Sequence, residues 1–138
     1  MIEDTLANHD LFRNAFNQSG FEVIIAPNAE GDLVTDIIDL EPDIISIDLM
    51  IGSPGIELER DGFQAIELLK RDARTKDIPI FVLTNFFEDG KVRKAKELGV
   101  IDFISLQGQS LKEIPNLFKN YLASPRKYRT VNPIFREK

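Results

Sequence analysis

Acidic and hydroxyl side chains stand at the ends of apolar runs in this sequence. Asp48 directly follows a mostly apolar run at 44–47, and Thr84 follows another at 78–83. Glu3 and Asp4 lie near the start of the chain, where an initial strand would finish. A carboxylate at the end of a buried strand is costly to keep charged unless a partner neutralises it. Asp48 therefore needs partners, and the other three residues are the candidates.

The chemistry that these residue types favour is phosphoryl transfer with a divalent cation. Three carboxylates at one edge of a sheet raise one another's pKa unless a cation neutralises them. Mg²⁺ suits such a site because it takes oxygen ligands, needs few carboxylates and keeps waters that a phosphate can replace. In phosphoryl transfer an aspartate carboxylate is the nucleophile, and the metal and a threonine hydroxyl stabilise charge on the phosphoryl oxygens.

An alternation of strands and helices positions these side chains. Period-2 or β-branched runs predict strands at 22–26, 43–47, 78–83 and 102–106. Helical spacing occurs at 11–16, 33–38, 63–69, 92–98 and 111–121, with Asp61 and Ser110 as predicted N-caps. Alternation of this kind predicts an α/β three-layer sandwich with a parallel sheet. Function in such sheets lies at the carboxyl ends of the strands.

Composition excludes several classes of protein. The 138 residues predict one domain, and the absence of cysteine excludes disulfides and thiolate chemistry. A net charge of −6 argues against nucleic acid as the main partner. The apolar runs are too short for a membrane span and no signal-peptide pattern opens the chain, so we expect a cytoplasmic protein without a membrane partner. Basic residues are concentrated in a tail at 123–138.

Six motifs share their order and spacing with one known family. They are IED (2–4), SGFEV (19–23), EPDIISIDLM (41–50), DGFQAIELLK (61–70), IPIFVLTN (78–85) and ELGVIDFIS (97–105). Together they cover nearly the whole chain up to Tyr121, and PDIISIDLM followed by DGF is the most specific part. The chain resembles the receiver domain of bacterial two-component response regulators, with the receiver at 1–122 and the tail after it.

The resemblance implies a flavodoxin-like fold with strand order 2-1-3-4-5. Asp48 would be the phosphoacceptor, and its phosphoryl donor would be a sensor histidine kinase or a phosphotransfer protein. The domain would be no enzyme beyond catalysing its own phosphorylation and dephosphorylation. Mg²⁺ would be held by Glu3, Asp4, Asp48 and the backbone carbonyl of Met50.

The resemblance also implies a switch and an output surface. Thr84 would contact the phosphoryl group, and Phe103 stands where the family has an aromatic switch residue. The changed surface would lie on the fourth helix, fifth strand and fifth helix, where a downstream protein binds. The sequence identifies neither the kinase nor the target, and it leaves open whether the domain forms a homodimer.

Three features depart from the family's pattern. Leu106 and Gln107 replace a lysine and a proline after the fifth strand, which removes a cation from the phosphoryl site. The loop at 51–60 is longer than in the family and is either a lid or a surface insertion. Only Met1 and Ile2 remain of the central first strand, so this strand is expected to be truncated. Either residues that the chain lacks or the segment 129–135 would fill the gap.

Two other functions compete with a phosphorylatable receiver. A pseudo-receiver would keep the fold and bind partners without a phosphorylation cycle, and Leu106, Gln107 and the long loop favour it. A small domain that binds a nucleotide or flavin would need a glycine-rich phosphate loop after a strand. No such loop is found in this sequence, which argues against the nucleotide or flavin domain.

Overall fold

The fold alternates helices with short parallel strands. The computed structural model describes residues 1–3, 5–49, 60–85 and 88–137. The described elements are α1 (Leu6–Gln18), α2 (Leu33–Leu40), β1 (Ile45–Ile47), α3 (Gly62–Arg71), β2 (Ile80–Thr84), α4 (Asp89–Glu97), β3 (Asp102–Ser105) and α5 (Ile114–Ala123). Two short 3₁₀ helices follow α5, η1 at Pro125–Lys127 and η2 at Pro133–Arg136.

The parallel sheet has the predicted order of chain segments. β1 pairs with β2, and β2 pairs with β3, all in parallel. On the other side of β1, Ile2 forms parallel bridges to both Ile47 and Ala26. Counting these two bridged segments as first and second gives the order 2-1-3-4-5 across the sheet. The predicted flavodoxin-like topology is therefore confirmed.

The gap at the centre of the sheet is filled by the first three residues, as backbone hydrogen bonds demonstrate. The Ile2 amide donates to the Ser46 carbonyl at 2.8 Å, and the Glu3 amide donates to the Ala26 carbonyl at 2.9 Å. The alternative in which segment 129–135 fills this gap is not observed, because that segment packs beside β3 at the far edge. Proline in the segment would have removed a donor from a central ladder.

The predicted strand at 22–26 is reduced to the single bridge at Ala26. The Met1 amino group donates to the Ile24 carbonyl at 2.8 Å, and the Ala26 amide donates to the Met1 carbonyl at 2.8 Å. A cavity of about 320 Å³ lies there, between 20–24 and 40–44. Burial lowers the pKa of the Met1 amino group to about 6.

The helix boundaries follow local sequence signals with one exception. Asp61 and Gln64 form a capping box at the start of α3, as the predicted N-cap requires. The predicted start of the fifth helix near Leu111 is wrong, because α5 begins at Ile114. Proline at 115 belongs in the first turn of a helix, so the regular helix begins just before it.

Two apolar layers separate the sheet from the helices. Alternate residues of β2 face opposite layers, Val82 towards one cluster and Phe81 and Leu83 towards the other. The first cluster contains residues of α2, α3 and α4, and the second contains residues of α1 and α5. Helices therefore cover both faces of the sheet, and the three-layer arrangement is confirmed. In the described part of the chain, no helix has the length and apolar character to cross a bilayer.

Candidate functional site

Asp48 and Thr84 meet at the carboxyl edge of the sheet. β1 ends one residue before Asp48, and β2 ends at Thr84, so parallel pairing places both residues at one edge. The Thr84 Oγ1 hydroxyl donates to Asp48 Oδ1 at 2.7 Å. Both side chains are buried, with 8% of Asp48 and 1% of Thr84 exposed. The predicted proximity of these two residues is therefore observed.

Glu3 is the second carboxylate of this site. Its place after Ile2, in the central segment, brings its carboxyl group against that of Asp48. Burial raises the pKa of Glu3 to about 7. The charge of Asp48 and a hydrogen bond with it raise the pKa further, while the Thr5 amide, which donates to Glu3 Oε1 at 2.9 Å, opposes the rise. The carboxylate of Asp48 therefore disfavours ionisation of Glu3.

The paired carboxylates fit a hard divalent cation. Crowded oxygen ligands with a raised pKa are stabilised when a cation such as Mg²⁺ replaces the proton. The other two predicted ligands, Asp4 and Met50, lie outside the described residues. Within the described ranges no cluster of three or more acidic or histidine side chains forms. The described part of the site thus supplies two carboxylates, Glu3 and Asp48.

Gly62 determines how closely α3 approaches the site. A Cβ atom at this position would lie 2.6 Å from the Asp48 carbonyl oxygen and 2.7 Å from Leu49 Cα. Real Cβ atoms do not approach backbone atoms so closely, so only glycine fits without displacing the backbone that carries Asp48. This role was not predicted from the sequence, although the glycine directly after the N-cap Asp61 was a visible signal.

Phe103 and Leu106 lie on β3 and just beyond it. Phe103 pairs in register with Val82, and its side chain is only 1% exposed, packed in the first apolar cluster. The Leu106 amide donates to the Thr84 carbonyl at 2.9 Å, so the residue that replaces the family's lysine follows β3 directly beside Thr84. The side chain of Leu106 packs against the second apolar cluster.

A buried acidic residue that was not singled out from the sequence lies at the other end of β3. The carboxylate of Asp102 is fully buried and accepts hydrogen bonds from Tyr128, Val131 and Asn132. Burial raises the pKa of Asp102, and these hydrogen bonds oppose the rise. Its position inside an apolar strand was the only sequence signal for this role.

The five-segment parallel sheet, its helices on both faces and the acidic edge beside a threonine define a receiver-type signalling domain. The chain matches the family model described as the response regulator receiver domain over residues 1–113. The chain belongs to this family. Receiver domains are signalling modules of two-component systems that accept a phosphoryl group, bind Mg²⁺ at the phosphorylation site and interact with histidine kinases or phosphotransfer proteins.

Curated relatives agree with the family. The phosphate regulon transcriptional regulatory protein PhoB of Pseudomonas aeruginosa is 33% identical over 106 residues, which are 76% of this chain and 43% of that protein. The DNA-binding dual master transcriptional regulator RpaA of Synechocystis is 35% identical over 61% of this chain and 32% of its own length. The chain thus spans less than half the length of these relatives.

Solved structures agree with the fold. A response regulator from Chloroflexus aurantiacus superposes with a TM-score of 0.72 at 24% identity, over 88% of this chain and 93% of that one. The receiver domain of NtrX from Brucella abortus gives a TM-score of 0.72 at 20% identity, over 89% and 96% of the two chains. These likenesses establish the fold.

Proposed function

We propose that this domain accepts a phosphoryl group on Asp48. The observation that carries the proposal is the buried cluster of Glu3, Asp48 and Thr84 at the carboxyl edge of the sheet. An Asp48 carboxylate oxygen attacks phosphorus, the acyl phosphate bond forms, and the bond from phosphorus to the donor breaks. The electron pair of the broken bond leaves with the donor group.

Glu3 and Thr84 have distinct roles in this proposal. Glu3 and Asp48, together with Asp4 and the Met50 carbonyl, would hold Mg²⁺, and that ion would supply positive charge to offset the negative charge on the phosphoryl oxygens. With a pKa of about 7, a large fraction of Glu3 is protonated at neutral pH. Because only the ionised carboxylate binds a metal ion well, metal binding would release this proton. The Thr84 hydroxyl, which now donates to Asp48, turns to donate to a phosphoryl oxygen.

The phosphoryl donor in this proposal is a sensor histidine kinase or a phosphotransfer protein. The domain itself catalyses its phosphorylation and its dephosphorylation. The output surface is formed by α4, β3 and α5, with Phe103 as the buried aromatic residue that responds to Thr84. In this proposal the receiver domain spans residues 1–122 and the tail spans residues 123–138. The apolar side chain of Leu106 leaves charge neutralisation at the phosphoryl group to the metal and to hydrogen-bond donors.

Labelling with a small phosphoryl donor tests this function. We expect acetyl phosphate with Mg²⁺ to add one phosphoryl group to the chain, as measured by intact mass, and a chelator to abolish the addition. Asp48→Asn should remain unlabelled. Asp43→Asn, which changes an exposed aspartate on the same segment, should be labelled like the unmodified chain. An unlabelled chain, or equal labelling of Asp48→Asn, would refute the proposal.

A further inference from the structure

The C-terminal segment crosses the surface that the proposed function assigns to output. η1 packs against α5, and η2 packs against α4. Between them the chain passes along β3, where it contacts the Asp102 carboxylate and the Phe103 carbonyl. We call residues 125–137 the cover, because they lie over α4, β3 and α5 together.

The buried carboxylate of Asp102 is the central anchor of the cover. It accepts hydrogen bonds from the Tyr128 hydroxyl at 2.7 Å, the Val131 amide at 2.7 Å and the Asn132 amide at 3.2 Å. The Phe103 amide donates to the same carboxylate at 2.9 Å. The Asp102 side chain of β3 therefore accepts hydrogen bonds both from its own strand and from the cover.

A second set of contacts joins the cover to α4. The Lys96 ammonium donates to the carbonyls of Ile134 at 2.9 Å and Glu137 at 2.6 Å. Arg93 forms an ion pair with Glu137 at 2.8 Å, and both side chains are about half exposed. Ile134 is buried in the first apolar cluster. The polar contacts of the cover with α4 thus lie at or near the surface, where water can replace them, whereas the Asp102 anchor and Ile134 are buried.

Backbone hydrogen bonds connect the phosphoryl site to the strand that holds the cover. Thr84 pairs with Ser105 in the β2–β3 ladder, and the Leu106 amide donates to the Thr84 carbonyl at 2.9 Å. The Thr84 hydroxyl donates to the Asp48 oxygen. If that oxygen belongs to an acyl phosphate, the hydroxyl turns to the phosphoryl group, and the end of β2 moves with it. The same strand pair carries Asp102 and Phe103 at its opposite end.

We propose that residues 125–137 are a cis-acting cover of the α4–β3–α5 surface, and that phosphorylation of Asp48 loosens the cover. This inference rests on the proposed function, since it needs Asp48 to be modified. Loosening frees the Asp102 carboxylate, the Lys96 ammonium and the apolar site of Ile134. A surface with that chemistry fits a short extended segment of a partner protein that supplies backbone donors and one apolar anchor.

Amide exchange measured on the full chain tests the cover. The probe is acetyl phosphate with Mg²⁺, and each sample is divided between intact mass and hydrogen–deuterium exchange. We expect exchange at the amides of Val131 and Asn132, which donate to Asp102, to become at least about tenfold faster in the phosphorylated chain. The exchange of β2 amides should change far less. Asp48→Asn under the same conditions should exchange like the untreated chain.

The outcomes separate the two proposals. A phosphorylated chain with unchanged or slower exchange at Val131 and Asn132 would overturn the cover and leave the proposed function standing. The segment would then only protect the edge of β3 from pairing. A chain that gains no phosphoryl mass would overturn the proposed function, and the cover mechanism would fail with it.

A second variant verifies that exchange reports on the cover. Asn132→Ala removes the side-chain hydrogen bonds to the Phe103 carbonyl and from the Ile134 amide. We expect this variant to have faster exchange at Val131 without phosphorylation. Arg126→Ala, at an exposed position of the same segment, should exchange like the unmodified chain. Equal exchange in Asn132→Ala and Arg126→Ala would show that the side-chain hydrogen bonds of Asn132 do not hold the cover in place.

Discussion

At the scale of single residues, the proximity of Glu3 to Asp48 lowers the free energy of unfolding by an amount that depends on pH. Burial and the nearby carboxylate raise the pKa of Glu3 from 4.5 to about 7. A carboxyl group whose pKa is higher in the folded than in the unfolded chain stabilises the folded chain when it is protonated. This stabilisation is complete at a pH below the pKa of the unfolded chain, and it is lost as the pH rises through the pKa of the folded chain. The metal-free domain should therefore lose stability because of this group as the pH rises from 4.5 to about 7.

The first prediction concerns Glu3→Gln. Without Mg²⁺ at about pH 8, we expect the variant to unfold with a free energy about 1–3 kcal/mol higher than the unmodified chain, because glutamine cannot ionise beside Asp48. The difference should disappear near about pH 4, below the unfolded pKa of 4.5, where the Glu3 carboxyl is protonated in both the folded and the unfolded chain. Urea titrations at both pH values measure it. The lowered pKa of the Met1 amino group gives the opposite pH slope, but it is common to both proteins and cancels.

Mg²⁺ provides the control for this prediction. Saturating Mg²⁺ should raise the midpoint of thermal unfolding of the unmodified chain, because ligands that bind only the folded state stabilise it. Glu3→Gln should gain less, since it has lost one carboxylate ligand. If the variant is less stable than the unmodified chain in chelator at high pH, the crowding of carboxylates described above is incorrect.

The second prediction concerns the residue beside Thr84. Leu106→Lys introduces an ammonium group where Leu106 now packs apolar carbon against the second cluster. We expect labelling by acetyl phosphate to become about tenfold faster or more, because a positioned cation stabilises developing charge on the phosphoryl oxygens. Leu106→Met is the matched control, as it keeps an apolar flexible side chain. Equal rates for the lysine and methionine variants would show that no cation is needed at this position.

At the scale of elements, α3 is fitted to the backbone that carries Asp48. The third prediction is that Gly62→Ala destabilises the domain by roughly 1–3 kcal/mol, since overpacking a tight contact forces the backbone to shift. The same shift should slow the labelling of Asp48. Gly90→Ala, in α4 with open space where the added methyl group would lie, should be neutral or slightly stabilising. Chemical unfolding of both variants measures the difference, and equal stability would contradict it.

The elements also reveal where sequence information is sufficient. Apolar spacing predicted the five α-helices of the described residues, and Asp61 predicted the start of α3, because these signals are local to each helix. The strand at 22–26 was predicted from its β-branched residues, but a strand also needs a neighbour to pair with. Among the described residues of this run, only Ala26 forms a bridge, to Ile2. Such pairing depends on the neighbouring segment and cannot be predicted from the residues at 22–26 alone.

The candidate site was predictable for a different reason. Asp48 and Thr84 each follow an apolar run, and parallel pairing of those runs brings the two side chains to 2.7 Å. The partners of Asp102 were not predictable, because Tyr128, Val131 and Asn132 reach it from a segment with no periodic pattern. Contacts between an irregular segment and a distant strand depend on how the whole chain packs.

At the scale of the whole molecule, the cover contributes one buried apolar side chain to the core, Ile134, while Tyr128, Val131 and Phe135 pack against the core partly buried. Ile134 is 7% exposed and lies in the cluster that contains Val92 and Phe103, whereas Ile24 is 51% exposed. The fourth prediction is that Ile134→Ala costs about 2–4 kcal/mol of unfolding free energy, because the truncation removes buried methyl groups and leaves a cavity. Ile24→Ala removes the same atoms from the surface and should cost less than about 1 kcal/mol.

Two measurements on Ile134→Ala distinguish a cover that opens only when the whole domain unfolds from one that opens locally. Urea unfolding should give a single transition with a lowered midpoint, because the remaining core is complete without this side chain. Amide exchange at Val131 should accelerate more than exchange at β2 amides, since a weakened anchor lets the cover open without global unfolding. If all amides accelerate equally, the cover opens only when the whole domain unfolds, and it could not respond separately to Asp48.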